Sequence, residues 1–173
     1  MKKYFYNHPY VFAVIFYALI NLVAGYGVTL FVDIKAIYEN LNTPVWAPAT
    51  WVFGIVWTIN NILVLLGNVW TFKSPASESR TMLIKLQMAS WVNYAIFQWL
   101  SFGTGIPSMF FWPTLSMLLL TIASIFYAYK LDQERGGFIL SIKQFKSVTL
   151  SFSTLLVWLI IASILGFYIM TNN

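Results

Sequence analysis

The sequence predicts an all-α integral membrane protein, a bundle of five transmembrane helices. Three observations carry that reading. First, 60% of the 173 residues are hydrophobic and only 9% are charged, with a mean hydropathy of +0.74. A soluble domain carries about 25% charged residues, so this chain has too few to cover a surface in water. Second, the apolar residues fall into five runs, at 9–31, 51–72, 86–102, 107–129 and 148–170. Third, the lysines and arginines fall in the connections rather than in the runs.

Taken in order, each run has its own justification. Run 9–31 follows Met1-Lys2-Lys3, which could introduce a signal peptide. It is too long for a signal-peptide core and no A-x-A site follows, so it reads as the first span. Runs 51–72, 107–129 and 148–170 match the roughly twenty apolar residues that a crossing helix needs. Run 86–102 is weaker, because it carries Gln87, Ser90, Asn93, Gln98 and Ser101, with Lys85 at its edge, where it can snorkel. A helix so polar should be shielded by its neighbours or line a cavity. Gly103-Thr104-Gly105-Ile106 is a tight connection that makes spans three and four antiparallel neighbours. The longer connection 131–147 holds Gly136-Gly137 and a charged cluster, and takes in helix ends. No internal repeat is visible, so residues 1–173 read as one transmembrane domain.

Basic residues orient the bundle. Lys2, Lys3, Lys73, Arg80, Lys85, Lys130, Arg135, Lys143 and Lys146 fall on one side, against Lys35 alone on the other. The positive-inside rule then places the N-terminus inside and the C-terminus outside. The net charge of +5 reflects that topology and anionic lipid headgroups. It does not suggest a nucleic-acid partner, because the basic residues are scattered over short connections.

Residues 41–57, LNTPVWAPATWVFGIVW, form the first loop and the entry to the second span. Pro44 and Pro48 fix φ and bar a regular helix over 41–48. Trp46, Trp51 and Trp57 suit a membrane–water interface. On their own they fit an aromatic belt best, and they also fit a rigid aromatic lid over a pocket for a flat hydrophobic ligand.

Helical spacing puts Trp57, Asn61, Val64 and Asn68 on one stripe of span two. In span three, Ser90, Asn93, Phe97 and Leu100 form one stripe and Gln87, Trp91, Tyr94, Gln98 and Ser101 another. In span five, Ser151, Thr154, Trp158, Ala162 and Leu165 align. Unbonded amides are costly in a bilayer, so these stripes face inward. Two readings stay open. The amides bond between helices, at about 1 kcal/mol each, or Trp57 and Trp158 wall a cavity in which Asn61, Asn93 and Gln98 orient a ligand. Small residues at Gly25, Gly27 and the pair Ala162 and Gly166 allow close helix approach, inside the bundle or at a dimer seam.

Several chemistries lack their residues. There is no cysteine, hence no disulfide and no thiolate site. His8 is the only histidine, so no metal site is expected. Asp33, Glu39, Glu78, Asp132 and Glu134 are all expected in connections, so no carboxylate pair lies in the membrane. The serines lack a base and no phosphate loop is evident. The absence of an ionisable residue at mid-bilayer argues against an ion-coupled pump.

Tyr38, Leu41, Pro44, Trp46 and Pro48, followed by Trp51, Phe53, Val56, Trp57 and Thr58, resemble in register the first loop and second helix of the TspO/MBR family. These are the translocator or tryptophan-rich sensory proteins. Ala49 stands where the family usually has a second proline, and Asn60-Asn61 where it commonly has Leu-Tyr. Looser similarity extends over Asn93, Gln98, Ser101, Trp158, Ala162 and Asn172, with Ile96-Phe97 and Thr154-Leu155 as departures. The resemblance implies a five-helix membrane receptor, often dimeric, that binds porphyrins or related tetrapyrroles without a required cofactor, in a bacterial plasma membrane. Taken with the aromatic loop and the inward stripes, it gives a candidate ligand site of Tyr38, Trp46, Trp51, Trp57, Asn61, Asn93, Phe97, Gln98 and Trp158, with a flat ring held between Trp57 and Trp158. Light-dependent porphyrin breakdown by those two tryptophans and uncoupled transport of a small molecule are the alternatives. The sterol-recognition pattern is absent, because no Lys or Arg follows Tyr168.

Overall fold

A computed structural model of the chain describes residues 9–173, in which every regular element is helical. Helix α1 (Pro9–Asn21) runs through a π-helical turn (Leu22–Tyr26) into the short α2 (Gly27–Thr29). The first loop carries α3 (Ile34–Glu39). The long helices α4 (Thr50–Lys73) and α5 (Glu78–Phe97) follow, and α5 also ends in a π-helical turn (Gln98–Phe102). Then come α6 (Ser108–Glu134), the short α7 (Phe138–Lys143) and α8 (Val148–Asn172). Lys2, Lys3 and His8 lie outside the described residues.

Three of these helices, α4, α6 and α8, are long and apolar enough to cross a membrane. The other two expected spans differ from the sequence reading for identifiable reasons. The first is an apolar helix over Val14–Thr29, shorter among the described residues than a full span, and it passes through a π turn that no hydropathy pattern signals. The third begins at Glu78, eight residues before its apolar run. Ser77 caps it by accepting from the Arg80 N–H at 3.1 Å, so Glu78, Arg80 and Lys85 belong to the helix. The carboxylates are likewise not confined to connections. Asp132 lies in the last turns of α6, where it is fully buried.

The long elements close a ring: α1 packs on α4, α4 on α8, α8 on α6, α6 on α5, and α5 back on α1. The α8–α6 seam is the tightest. A Cβ at Gly166 would meet the Phe110 carbonyl oxygen at 2.5 Å, and one at Gly67 would meet Ser151 Cβ at 2.8 Å across the α4–α8 seam. Gly166 therefore serves packing inside the chain rather than a dimer seam.

Interhelical hydrogen bonds absorb most of the polar stripe. Asn61 donates to Asn21 Oδ1 at 3.0 Å and accepts from the Tyr17 hydroxyl at 2.7 Å, tying α4 to α1. Asn68 donates to Gln87 Oε1 at 3.3 Å, and Gln87 donates to Ser124 Oγ at 2.9 Å, linking α4, α5 and α6. Pro113 inside α6 has no N–H, so the Met109 carbonyl loses its helical donor. The Ser101 hydroxyl supplies one at 2.6 Å, and Asn93 donates to the Pro113 carbonyl at 3.0 Å. Ser101 is fully buried. Ser101→Ala is therefore expected to destabilise the fold by about 1–3 kcal/mol, the cost of an unsatisfied buried acceptor. A denaturation midpoint equal to that of the parent protein would contradict this.

Candidate ligand cavity

At the end of the bundle where α4 and α6 begin and α8 finishes, the helices part to leave a cavity of about 280 Å³. Helical periodicity selects its walls. α4 contributes Thr50, Phe53, Gly54 and Trp57, at i, i+3, i+4 and i+7. α5 and its π turn contribute Tyr94, Phe97, Gln98 and Phe102, α6 contributes Phe110 and Thr114, and α8 contributes Trp158, Ala162 and Leu165. Tyr38 from α3 closes the top.

Five aromatic rings run through this wall as a chain of contacts. Tyr38 meets Phe53 edge-on at 5.2 Å, and Phe53 meets Trp158 at 5.4 Å. Trp158 meets Trp57 at 6.4 Å, and Trp57 meets Tyr94 at 5.1 Å. Such contacts contribute about 0.5–1.5 kcal/mol each beyond simple burial, so the wall is stiff. The lining side chains that carry polar groups are few and neutral: Thr50, Gln98, Thr114, the phenols of Tyr38 and Tyr94, and the indoles of Trp57 and Trp158. The Nε1–H of the buried Trp158 has no hydrogen-bond partner among the described residues.

The lid is the loop between α3 and α4. Tyr38 donates its hydroxyl hydrogen to the Pro48 carbonyl at 3.1 Å, pinning both ends of the loop. Partial burial pushes its phenol above the ordinary tyrosine range, so the donor stays protonated near neutral pH. Ile37, Leu41 and Ala47 pack against Phe110, Leu165 and Ile169. The outer edge is tied to the end of α8. Asn42 donates its backbone N–H to Asn173 Oδ1 at 2.6 Å, and Asn173 Nδ2 donates to the Asn42 carbonyl at 3.1 Å. With a net value of about 1 kcal/mol for such bonds, Asn173→Ala is expected to speed amide exchange over residues 41–49 roughly fivefold. Unchanged protection of that loop would show that the tie contributes nothing.

Of the residues singled out in the sequence, Tyr38, Trp57, Phe97, Gln98 and Trp158 line the cavity together. Trp46 and Trp51 do not: they are 50% and 68% exposed. Trp51 sits six residues before Trp57, on another face of α4, whereas Phe53 sits four before it and shares the face. Asn61 and Asn93 are engaged between helices. The i/i+4 spacing could have found Phe53. Phe102, Phe110 and Thr114 had no comparable signal, since their positions depend on where α5 and α6 end.

The two indoles are not arranged as a parallel pair. A flat ring held between Trp57 and Trp158 needs two parallel planes about 7 Å apart, two carbon contact distances of roughly 3.5 Å. The indoles stand at 86° with centroids 6.4 Å apart. They touch each other and form a corner against which a flat ring can lie.

The model of the TspO/MBR family matches residues 9–171. The chain belongs to the TspO/MBR family. With three helices able to cross a membrane, this makes it an integral membrane protein. None of the curated proteins compared matches the chain.

Proposed function

We propose that this TspO/MBR protein binds a flat, largely apolar ligand of the tetrapyrrole class in the cavity beneath the first loop. Five helical passes would form the bundle, including the two interrupted by π turns, with the N-terminus inside and the lid on the outer, charge-poor side. The observation that supports it best is the aromatic corner of Trp57, Phe53 and Trp158, enclosed by a pinned lid. The cavity volume of about 280 Å³ lies at the lower edge of the roughly 300–1,000 Å³ of small-molecule sites. A macrocycle would fill it and press on the lid. Every lining residue is uncharged, so acidic arms would sit at the mouth, near water, rather than deep inside.

Tryptophan-fluorescence quenching of the detergent-purified protein by protoporphyrin IX tests this, with the Trp57→Phe/Trp158→Phe double variant alongside. Saturable quenching in the micromolar range, with its midpoint displaced in the variant, is expected. Absent quenching, or the same midpoint in both proteins, would overturn the reading.

A second reading, light-dependent breakdown of the porphyrin, draws support from two indoles meeting at one wall of the cavity. Trp57→Phe would then abolish product formation while leaving binding largely intact, and unchanged turnover would exclude it. An uncoupled carrier is separated from a receptor by flux in proteoliposomes.

A further inference from the structure

Behind the aromatic corner lies a second, smaller chamber of about 30 Å³, in the middle of the bundle. Trp57 and Tyr94 line both spaces, so their ring pair, 5.1 Å between centroids, is the partition. The inner chamber is the more polar of the two, with Tyr17, Asn61, Gln87, Ser90, Trp91 and Tyr94 on its walls. Most of these groups are already engaged. Tyr17 and Asn61 bond each other, and Gln87 bonds Asn68 and Ser124.

Trp91 is the exception. It is 5% exposed, held by ring contacts to Tyr17 at 4.8 Å and Phe16 at 5.7 Å. Its Nε1–H is buried and has no acceptor among the described residues. Ser90, one residue earlier on the same helix and equally buried, brings a hydroxyl to the chamber. A buried N–H without an acceptor is costly, and the surrounding bilayer supplies none. A space of this size exceeds the roughly 10–15 Å³ that one water requires, and the walls offer the two or more polar partners that hold one.

We infer that the inner chamber is a binding subsite for one neutral oxygen acceptor, hydrogen-bonded by Trp91 Nε1 and reached through the Trp57–Tyr94 partition. Two sources supply that chemistry: a resident water, or an uncharged oxygen-bearing arm of a ligand whose body occupies the outer cavity. Charged arms are unsuited, because no cationic side chain lines the chamber. The second source rests on the binding function proposed above, and the first does not.

The test is indole ¹⁵N–¹H NMR of the whole protein in nanodiscs, with Trp91→Phe identifying the Trp91 resonance among the eight tryptophans. A downfield, hydrogen-bonded Nε1–H with an exchange cross-peak to water is expected. Ser90→Val, which fills the chamber and removes the hydroxyl, should move the resonance upfield and abolish the cross-peak. This second variant also identifies the resonance if Trp91→Phe fails to fold. Protoporphyrin IX dimethyl ester, whose arms carry uncharged ester oxygens, is then added. A cross-peak that survives identifies resident water as the source. A cross-peak lost at saturation, or a downfield shift that appears only with the porphyrin, identifies the ligand arm. An upfield resonance that stays upfield in the presence of protoporphyrin IX dimethyl ester overturns the subsite. Failure of porphyrin quenching alone leaves the resting-protein signal to be read, so the two proposals fail separately.

Discussion

Replacing Asp132 by alanine is expected to cost about 3–5 kcal/mol, the penalty typical of breaking a buried, hydrogen-bonded charge. The side chain is fully buried. Its carboxylate accepts from the backbone N–H groups of Val148 and Thr149 at 3.1 and 3.0 Å. It also accepts from the hydroxyls of Ser147 and Thr149 at 2.9 and 2.8 Å, and from Arg135 at 3.3 Å. A carboxylate in the last turns of α6 thus caps the first turn of α8, where unsatisfied N–H groups and the helix dipole both favour a negative charge. Removal leaves these donors unpaired in a site that admits little water. Loss of monodisperse protein on gel filtration, or a large fall in denaturation midpoint, is the expected readout, with Asp132→Asn intermediate because it keeps an acceptor. Glu39→Ala is the control. Its pair with Lys35, at 3.8 Å, is 58% exposed on the glutamate side and 70% on the lysine side, so little change is expected there. Equal behaviour of Asp132→Ala and Glu39→Ala would refute the capping role.

Asp132 also marks the limit of what the sequence discloses. Hydropathy ends the fourth run near Tyr129, yet α6 continues to Glu134 because tertiary partners accept its charged turn. Helix ends stapled by polar contacts therefore escape a hydropathy reading, and so does the start of α5 behind its Ser77 cap. The inward stripes were legible because helical spacing is local. Gln87, Trp91, Gln98 and Ser101 are all buried. Which buried amide faces a ligand and which bonds another helix was not legible. Asn61 and Asn93 have the same residue type and periodicity as a ligand contact would. Only the approach of Asn21 to one, and of the Pro113 carbonyl to the other, separates the two roles. The aromatic corner was half legible. Spacing places Phe53 with Trp57, but the 86° angle between the Trp57 and Trp158 rings depends on how α8 crosses α4.

Ala162→Phe is expected to weaken porphyrin quenching at least tenfold, about 1.4 kcal/mol in binding free energy. Ala162 lines the cavity one helical turn beyond Trp158 on the same face of α8. A phenyl ring there projects into a space of about 280 Å³ that a macrocycle would need in full. Steric exclusion of that kind opposes the ligand without removing any of its proposed contacts, so the effect separates occupancy of the cavity from loss of an indole fluorophore. The position is only partly buried, so the ring has open volume to enter and the overpacking cost to the fold should be small. Ile164→Phe, 56% exposed on the outer face of the same helix, supplies the comparison, since its ring adds bulk toward lipid and leaves the cavity untouched. Equal quenching midpoints in the Ala162 and Ile164 variants would place the porphyrin outside this cavity, on the lipid-facing surface, whatever the saturation curve of the parent protein.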